Sequence, residues 1–222
     1  MFQILVASAK GGVGKTTVAT TLAGHYAVQG KAVALVDADP QGSARSWCEK
    51  RFVDTAPVVA VDGTRRYWQR QIPDTCTHGV IDTPAGAMPR QLADFLAVAD
   101  ALVVPILPSV LDMEATVRFL NALAEVPRVA NGELPVGLVA NRLKPWTQAS
   151  RQAVEQMAGW PCTLVAQLRD TQAYVLLAGV GKCLFDFHSE AIRGHQADWL
   201  PLLRWLNGIN RKRAARSRFN AD

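Results

Sequence analysis

The stretch FQILVASAKGGVGKTT at residues 2–17 constrains the fold more than any other part of the chain. An apolar run of strand type leads into a glycine-rich loop, and a lysine and two threonines then open a helical pattern. Glycines let backbone N–H groups turn toward an anion, and the start of the following helix adds the positive end of its dipole. This order of strand, loop and helix predicts a phosphate-binding loop on an α/β sheet.

Six further β-type runs follow, with helical stretches between most of them. Most of these runs are apolar throughout rather than alternating, which indicates burial on both faces. We therefore predict a single-domain α/β fold of the P-loop NTPase type, with a mostly parallel twisted sheet and helices on both faces. The predicted strands are 2–8, 31–38, 57–61, 79–83, 101–107, 134–141 and 162–167. The predicted helices are 15–29, 43–52, 88–99, 112–125, 148–158, 171–178 and 189–209.

The composition supports a folded, cytoplasmic domain. Hydrophobic residues make up 49% of the 222 residues, which is enough for a substantial core. No apolar run has membrane-spanning length, and no leader-like segment precedes the first strand, so we expect a cytoplasmic protein. Cys48, Cys76, Cys162 and Cys183 show no metal-ligand spacing, so we interpret them as reduced, partly buried thiols.

Positive charge is concentrated at the C-terminal end. The formal net charge is +5, and the segment RKRAARSRF at 211–219 alone carries five basic residues. Without them the chain is balanced, with 19 basic and 19 acidic residues. We predict an ATPase domain over residues 1–210 and a mobile basic tail over 211–222, and the asymmetry points to a polyanion or an anionic surface as partner.

The glycine-rich loop carries the predicted phosphate contacts. Lys15 is placed to reach the β- and γ-phosphates, and the Thr16 hydroxyl is placed to bind Mg²⁺. The strict pattern requires glycine at position 9, where this chain has Ala9, and neighbouring glycines supply the flexibility instead. The nucleotide-binding residues predicted in this loop are Gly11, Gly12, Val13, Gly14, Lys15, Thr16 and Thr17.

Three aspartates lie at or just beyond the ends of the second and fourth predicted strands. Asp82 ends a buried strand and is predicted to hold Mg²⁺ through water, with helix capping as the alternative. Asp37 and Asp39 lie just after the second strand, and Asp37 is expected near the magnesium shell. Both could instead be turn residues before Pro40.

Four segments together resemble the ParA/MinD family of deviant-Walker ATPases: KGGVGKTT, VDADPQGSA, VIDTPAG and PILPSVLDMEA. The resemblance covers about residues 1–209 and is nearest to small ParA-type partition ATPases. It implies a Mg²⁺-dependent ATPase that forms a homodimer around ATP. Lys10 matches the family's signature lysine, which reaches the phosphates bound by the partner subunit. Asp39 matches the switch aspartate that orients the attacking water.

Two further positions gain an interpretation from the resemblance. Asn141 and Arg142 match the family position beside the adenine, although Asn141 is also compatible with a strand-end turn. The run that follows Asn141 lacks the aspartate of a guanine-reading motif, so ATP is favoured over GTP. Asp112 is compatible both with pairing to Lys10 and with a charge at a helix N-terminus.

The C-terminal stretch WLPLLRWLNGI at 199–209 has one apolar helical face. We expect it to pack on the sheet, with a membrane-lying helix of the MinD sort as the alternative. The basic tail favours DNA phosphates, with a membrane surface or a solubilising role as alternatives. An iron–sulfur ATPase is disfavoured because no cysteine lies between Cys76 and Cys162.

The resemblance and the charge pattern together define the expected function. We expect an ATPase that dimerises on ATP, binds DNA without sequence preference, and lets go when a cargo-bound partner protein stimulates hydrolysis. The cargo is a plasmid, a chromosomal locus or a protein assembly, and the expected location is the nucleoid. A MinD-like membrane-associated ATPase is the alternative.

Overall fold

A computed structural model describes residues 1–51 and 54–219. The end of the predicted helix 43–52, residues 220–222 of the tail and the Arg218 side chain lie outside this description. Within the described part, no helix is long and apolar enough to cross a bilayer.

The described part of the chain contains seven strands and eight α-helices. The strands are β1 (Phe2–Val6), β2 (Val33–Asp37), β3 (Val59–Asp62), β4 (His78–Asp82), β5 (Ala101–Ile106), β6 (Val136–Leu143) and β7 (Thr163–Arg169). The helices are α1 (Lys15–Val28), α2 (Ser43–Glu49), α3 (Ala93–Val98), α4 (Val110–Ala124), α5 (Pro127–Ala130), α6 (Gln148–Ala158), α7 (Ala173–Gly179) and α8 (Glu190–Phe219). Short 3₁₀ turns lie at Trp68–Gln71, Pro89–Leu92 and Leu184–Asp186.

The strands form one parallel sheet in the order β3-β2-β4-β1-β5-β6-β7. On one side of β1 the chain forms β2 and then β3 outside it, and β4 returns to the position between β2 and β1. The chain then crosses over and adds β5, β6 and β7 in order on the other side. Ligands of such sheets bind beyond the carboxyl ends of the strands, where the order reverses. We call that side of the sheet the carboxyl edge and the opposite side, where the strands begin, the amino edge.

Two apolar cores hold the helices to the two faces of the sheet. One core joins α1, α2, α7 and α8 to alternate residues of β1 such as Ile4, and the other joins α3 to α6 to the intervening residues such as Leu5. Because α1 is covered by the sheet and by other helices, its residues are buried on nearly all sides. This burial fixes both of its ends, and each end contributes to a site described below.

Helix α8 departs most from the sequence expectation. Its apolar face, with Trp199, Leu202, Leu203 and Leu206, is buried in the core, so the prediction of a core helix is confirmed. The expected end near residue 209 is wrong, because the helix continues through the basic segment to Phe219. Alanine, arginine and lysine are good helix formers, and basic residues suit the C-terminal end of a helix.

The remaining element predictions are confirmed, with shifts of one to three residues at their ends. The structure adds α5 and the 3₁₀ turns at Trp68–Gln71 and Leu184–Asp186, which the sequence pattern did not reveal. The predicted helix 88–99 begins as a 3₁₀ turn and becomes α-helical at Ala93.

Candidate functional site

The loop between β1 and α1 lies at the carboxyl edge and has the backbone of a phosphate cradle. Gly12 and Gly14 adopt positive φ angles of 77° and 92°, a region that favours glycine. A Cβ atom on Gly14 would also lie 2.5 Å from Nδ2 of Asn141, so two constraints require glycine there. Ala9 has no positive φ, which explains why alanine is tolerated where the strict pattern has glycine.

Lys15 opens α1 and folds back over its own loop. Its Nζ lies 3.3 Å from the Ser8 hydroxyl and 3.3 Å from the Lys10 carbonyl oxygen, and the side chain is buried. Burial lowers the pKa of Lys15, while the nearby carboxylates of Asp82 and Asp39 raise it. Neither contact is with a carboxylate, so the ammonium group is held in place by weak acceptors that an incoming phosphate oxygen can replace.

Asp82 ends β4 directly beside the first turn of α1. The Thr16 hydroxyl donates a 2.7 Å hydrogen bond to Oδ2 of Asp82, while Oδ1 is buried without a hydrogen-bond partner among the described residues. Burial raises the pKa of Asp82 to about 7, against the smaller, opposing effect of the Thr16 hydrogen bond. A buried carboxylate oxygen without a donor is costly unless a ligand satisfies it.

These groups fit a hydrated Mg²⁺ ion. Magnesium prefers oxygen ligands and keeps several waters, so one hydroxyl and one nearby carboxylate are a sufficient protein contribution. Thr16 would supply the hydroxyl, and Oδ1 of Asp82, unpaired among the described residues, would accept a hydrogen bond from a bound water. The structure thus brings together two of the three residues predicted for the metal.

Asp37 is bound to the start of α2 instead. Its two carboxylate oxygens accept backbone N–H bonds from Asp39 at 3.1 Å and from Arg45 at 2.8 Å. Burial raises the pKa of Asp37, and these backbone hydrogen bonds oppose that effect. Its register pairing with Asp82 leaves it beside the metal site, so its predicted place near the magnesium shell stays a prediction.

Asp39 lies in the turn that follows β2 and is only partly buried. Oδ1 accepts the backbone N–H of Gln41 at 2.9 Å, and its carbonyl accepts that of Gly42 at the same distance. Both bonds hold the turn that leads into α2. A carboxylate accepts more than one hydrogen bond, so this contact leaves capacity for a water molecule. The predicted water-orienting role of Asp39 therefore remains open to test.

Asn141 performs a task that the sequence did not predict. It lies inside β6, it is buried, and its Nδ2 donates a 2.7 Å hydrogen bond to the Val13 carbonyl of the phosphate loop. The side chain therefore ties the far strand to the loop. Arg142 is exposed and forms a 3.4 Å ion pair with Asp170, with a positive φ of 54°. Their predicted place beside adenine stays a prediction.

The Lys10 side chain forms no hydrogen bond or ion pair within the described part of the chain. Asp112 does not pair with it there: Asp112 lies in the first turn of α4, where its N–H is capped by the Ser109 hydroxyl. Beside this cap, Val110 and Leu111 are 73% and 67% exposed at the carboxyl edge. A free lysine and two bare apolar side chains thus share one face with the phosphate loop.

Two positioning residues, Ser8 and Thr83, were not predicted from the sequence. Ser8 bonds the Lys10 carbonyl at 2.9 Å and contacts Lys15, and the Thr83 hydroxyl bonds the Val6 carbonyl at 2.9 Å. Both are small polar residues that follow buried strands beside a predicted ligand loop. Their position in the sequence could have identified them, since a buried hydroxyl there needs a backbone or ligand partner.

Comparison with known proteins places the chain among nucleotide-binding domains. Residues 4–180 match the family model for the CobQ/CobB/MinD/ParA nucleotide binding domain. Maintenance of carboxysome distribution protein A from Halothiobacillus neapolitanus is 29% identical over 187 residues, which cover 81% of this chain and 85% of that protein.

Solved structures share the fold. A plasmid partition protein from Borrelia burgdorferi B31 bound to AMPPNP has a TM-score of 0.71 at 18% identity, covering 91% of this chain and 98% of its own. Cobyrinic acid a,c-diamide synthase from Mycobacterium smegmatis, with ADP and magnesium bound, has a TM-score of 0.64 at 20% identity, covering 80% of this chain and 92% of its own. Their ligands belong to the cofactor class, ATP with Mg²⁺, that the sequence predicts.

Proposed function

Because the chain belongs to the CobQ/CobB/MinD/ParA nucleotide-binding family, we propose that it is a DNA-associated partition or positioning ATPase that acts as an ATP-bound homodimer. It is a ParA/MinD-type ATPase whose cofactors are ATP and Mg²⁺. The observation that carries the finer proposal is the second lysine of the phosphate loop, Lys10, whose side chain is unpaired in the described part of one subunit.

The chain's own residues divide the work at the nucleotide. The loop amides and Lys15 bind and neutralise the phosphates, and Thr16 with Asp82 holds the metal. Bound Mg²⁺ supplies further neutralisation of phosphate charge. Asp39 orients the attacking water, and such positioning accounts for most of the catalysis of phosphoryl transfer. The hydrogen bond from Asn141 to the Val13 carbonyl holds the phosphate loop in place.

Dimerisation makes Lys10 part of the opposite active site. The transferred phosphoryl group spreads negative charge over its oxygens, and a lysine supplied by the partner stabilises that charge as an arginine finger does. Val110 and Leu111 become buried at the same time, which adds apolar contact to an interface otherwise built on charge. ATP is therefore the condition for a stable dimer.

Two substitutions separate binding from switching. Lys10→Ala is expected to bind ATP but to stay monomeric, whereas Asp39→Ala is expected to dimerise with ATP and to hydrolyse it slowly. Light scattering with and without ATP, together with phosphate release, reads out both properties. Lys50→Ala, which removes an exposed lysine after α2, is the matched control. Normal dimerisation and turnover of Lys10→Ala would remove the trans role from the proposal.

The end of α8 is the proposed DNA surface. Lys212 and Arg216 are exposed and lie one helical turn apart on one face of the helix. Arg213 is not free for this role because it pairs with Asp100 at 3.0 Å. Basic side chains on one helix bind DNA phosphates through counterion release and need no base contact.

Titration of random duplex DNA at several salt concentrations tests this surface. The ATP-bound dimer should bind, and Lys212→Gln with Arg216→Gln should weaken binding. The log–log salt slope should flatten by roughly 0.9 for each DNA phosphate that the variant no longer neutralises. Arg118→Gln, which removes an exposed charge from α4 on the opposite layer, should leave affinity and slope unchanged. Equal weakening in the two proteins would show a general charge effect.

Hydrolysis then links the DNA-bound dimer to its cargo. A partner protein attached to the cargo stimulates hydrolysis, the dimer separates, and the cargo follows the remaining DNA-bound ATPase through the nucleoid. The relative named for carboxysome distribution supports a protein assembly as cargo, and the structural relative named for plasmid partition supports a plasmid. Hydrolysis measured with and without the protein encoded beside this gene tests the partner.

A further inference from the structure

A second cavity lies at the amino edge, on the opposite side of the sheet from the nucleotide site. It has a volume of about 610 Å³, within the range of small-molecule sites. Its walls are the last turn of α1, the start of β4 and one face of α8. The lining residues are His25, Tyr26, Gln29, Lys31, His78, Leu200, Leu203, Arg204, Asn207, Asn210 and Arg211.

The charge of this cavity is one-sided. Lys31, Arg204 and Arg211 line it, whereas no acidic residue among those that the structure describes does. None of the three basic residues forms an ion pair with a described acidic side chain. Three unneutralised cations around one concave surface favour an anion there.

Helix α1 does not account for these cations. Cations are common at helix C-termini because they satisfy the last carbonyls. Here the carbonyls of His25, Tyr26 and Ala27 already accept backbone N–H bonds, at 2.9 to 3.1 Å, from the turn that follows the helix. Gly30, with a φ of 73°, makes this closing turn possible. Lys31 is therefore left free for another partner.

The floor of the cavity is aromatic and holds unused polar groups. The rings of Tyr26 and His78 stack with centroids 4.6 Å apart. Tyr26 is only 3% exposed, and its hydroxyl has no hydrogen-bond partner among the described residues, nor does Nδ1 of His25. Buried polar groups without partners are rare and mark places where a ligand or an ion completes the bonding.

The ring of His78 is affected by burial and by the positive charges around the cavity. Burial first, and then the positive charges of Lys31, the N-terminus and Arg213, lower the pKa of His78 to about 4. Burial also lowers the pKa of His25 to about 4. Both rings are therefore neutral at physiological pH, so the positive potential comes from the lysine, the arginines and the N-terminus. Nδ1 of His78 lies 3.0 Å from the Thr77 hydroxyl and Nε2 lies 3.4 Å from Nδ2 of Asn210.

We infer that this amino-edge cavity binds a phosphorylated small molecule, with the phosphate held by Lys31, Arg204 and Arg211 and the organic part over Tyr26 and His78. Because none of the described lining residues is acidic, the phosphate is bound directly by the basic side chains, without a metal bridge. The same phosphate chemistry occurs in a DNA backbone, so the test separates the two sources. The site is distinct from the phosphate loop and does not depend on the function proposed above.

Histidine NMR with inorganic phosphate and a phosphate ester tests the inference. The probes are sodium phosphate and glucose 6-phosphate, titrated at constant ionic strength with the phosphate loop filled by ADP and Mg²⁺. We expect saturable shifts of the His78 ring signal and a higher His78 pKa when the site is filled, because an anion offsets the neighbouring positive charges. The exposed His188 is the internal control and should not move.

Matched variants decide the outcome. Lys31→Gln and Arg204→Gln should each weaken binding by about tenfold, and Arg118→Gln should leave it unchanged. Non-saturable shifts, or equal weakening in all three variants, would overturn the inference. If a DNA duplex displaces the ester and Lys31→Gln weakens binding of the duplex, DNA is the source of the phosphate. A duplex whose binding is unaffected by Lys31→Gln identifies the free ester.

Discussion

The two edges of the sheet offer phosphate two different environments. At the carboxyl edge, glycines and a helix start provide backbone N–H groups, and Lys15 lies among Asp37, Asp39 and Asp82. At the amino edge, lysine and arginine side chains provide the positive charge, and no acidic residue of the described part of the chain lines the cavity. Carboxylates beside phosphates require a cation between them, so the first edge is built for a metal complex and the second for a bare anion. The placement of acidic residues, more than the number of basic ones, distinguishes the two.

Removing one lysine from each edge tests whether the two edges bind phosphate independently. Lys15→Ala should reduce ATP binding by about 100-fold or more, since it removes a buried ammonium group that binds phosphate directly. Lys31→Ala should leave ATP affinity unchanged, because it lies at the other end of α1. Calorimetry with ATP and Mg²⁺ measures both. Equal reductions would mean that the two edges are not independent.

In the metal-free protein, the stability contributed by the two edges should change with pH in opposite directions. The pKa of Asp82 is raised to about 7, so its stabilising contribution is present below its unfolded value near 4 and is lost as pH rises through 7. In EDTA, wild type should therefore lose about 2 kcal/mol of unfolding free energy as the pH rises from 5 to 8. Asp82→Asn should not show this loss, because its side chain does not ionise. Urea unfolding at each pH measures this, with Asp74→Asn as an exposed control. A pH-independent difference would contradict the buried, unpaired carboxylate.

The amino edge should show the reverse trend with a smaller size. The pKa of His78 is lowered to about 4, so its contribution is present above the unfolded value near 6.5 and is lost as pH falls through 4. Wild type should lose stability between pH 6.5 and 4. His78→Gln should lose about 1 kcal/mol less over that range, because solvent in the adjoining cavity screens the charge of the ring and reduces the effect of the full pKa shift. His188→Gln, at an exposed position, should behave as wild type. Identical pH profiles of the two variants would count against a buried neutral ring.

The smallest expected effect concerns the end of α8. Arg213 pairs with Asp100, with side chains 40% and 21% exposed. Half-exposed pairs stabilise weakly, so Arg213→Gln should lower the unfolding free energy by about 0.5 kcal/mol. Hydrogen exchange should show earlier opening of the last turns of α8, whereas Arg216→Gln should not. Unchanged exchange would show that helix propensity alone holds this segment.

The sequence predicted most of the carboxyl edge and almost nothing of the amino edge. The phosphate loop and the aspartates lie next to buried strands and follow a fixed spacing, so local pattern was enough. The amino-edge cavity joins Lys31, His78 and Arg204, which are far apart in the chain and follow no motif. The same reason hid the role of Asn141, whose partner Val13 is 128 positions away. The end of α8 was missed because charge was interpreted as disorder although the residues favour helix.

The position of β1 at the centre of the sheet has a consequence for how this chain acquires its structure. The first strand pairs with β4 on one side and with β5 on the other, so Phe2 faces His78 and Ile4 faces Ala101. A ribosome adds about 5–20 residues per second, so β1 waits roughly 4–15 s for its first neighbour. Contacts of such long sequence separation also slow folding. The nascent chain therefore carries an unpaired apolar strand for seconds, and chaperones have that long to bind it.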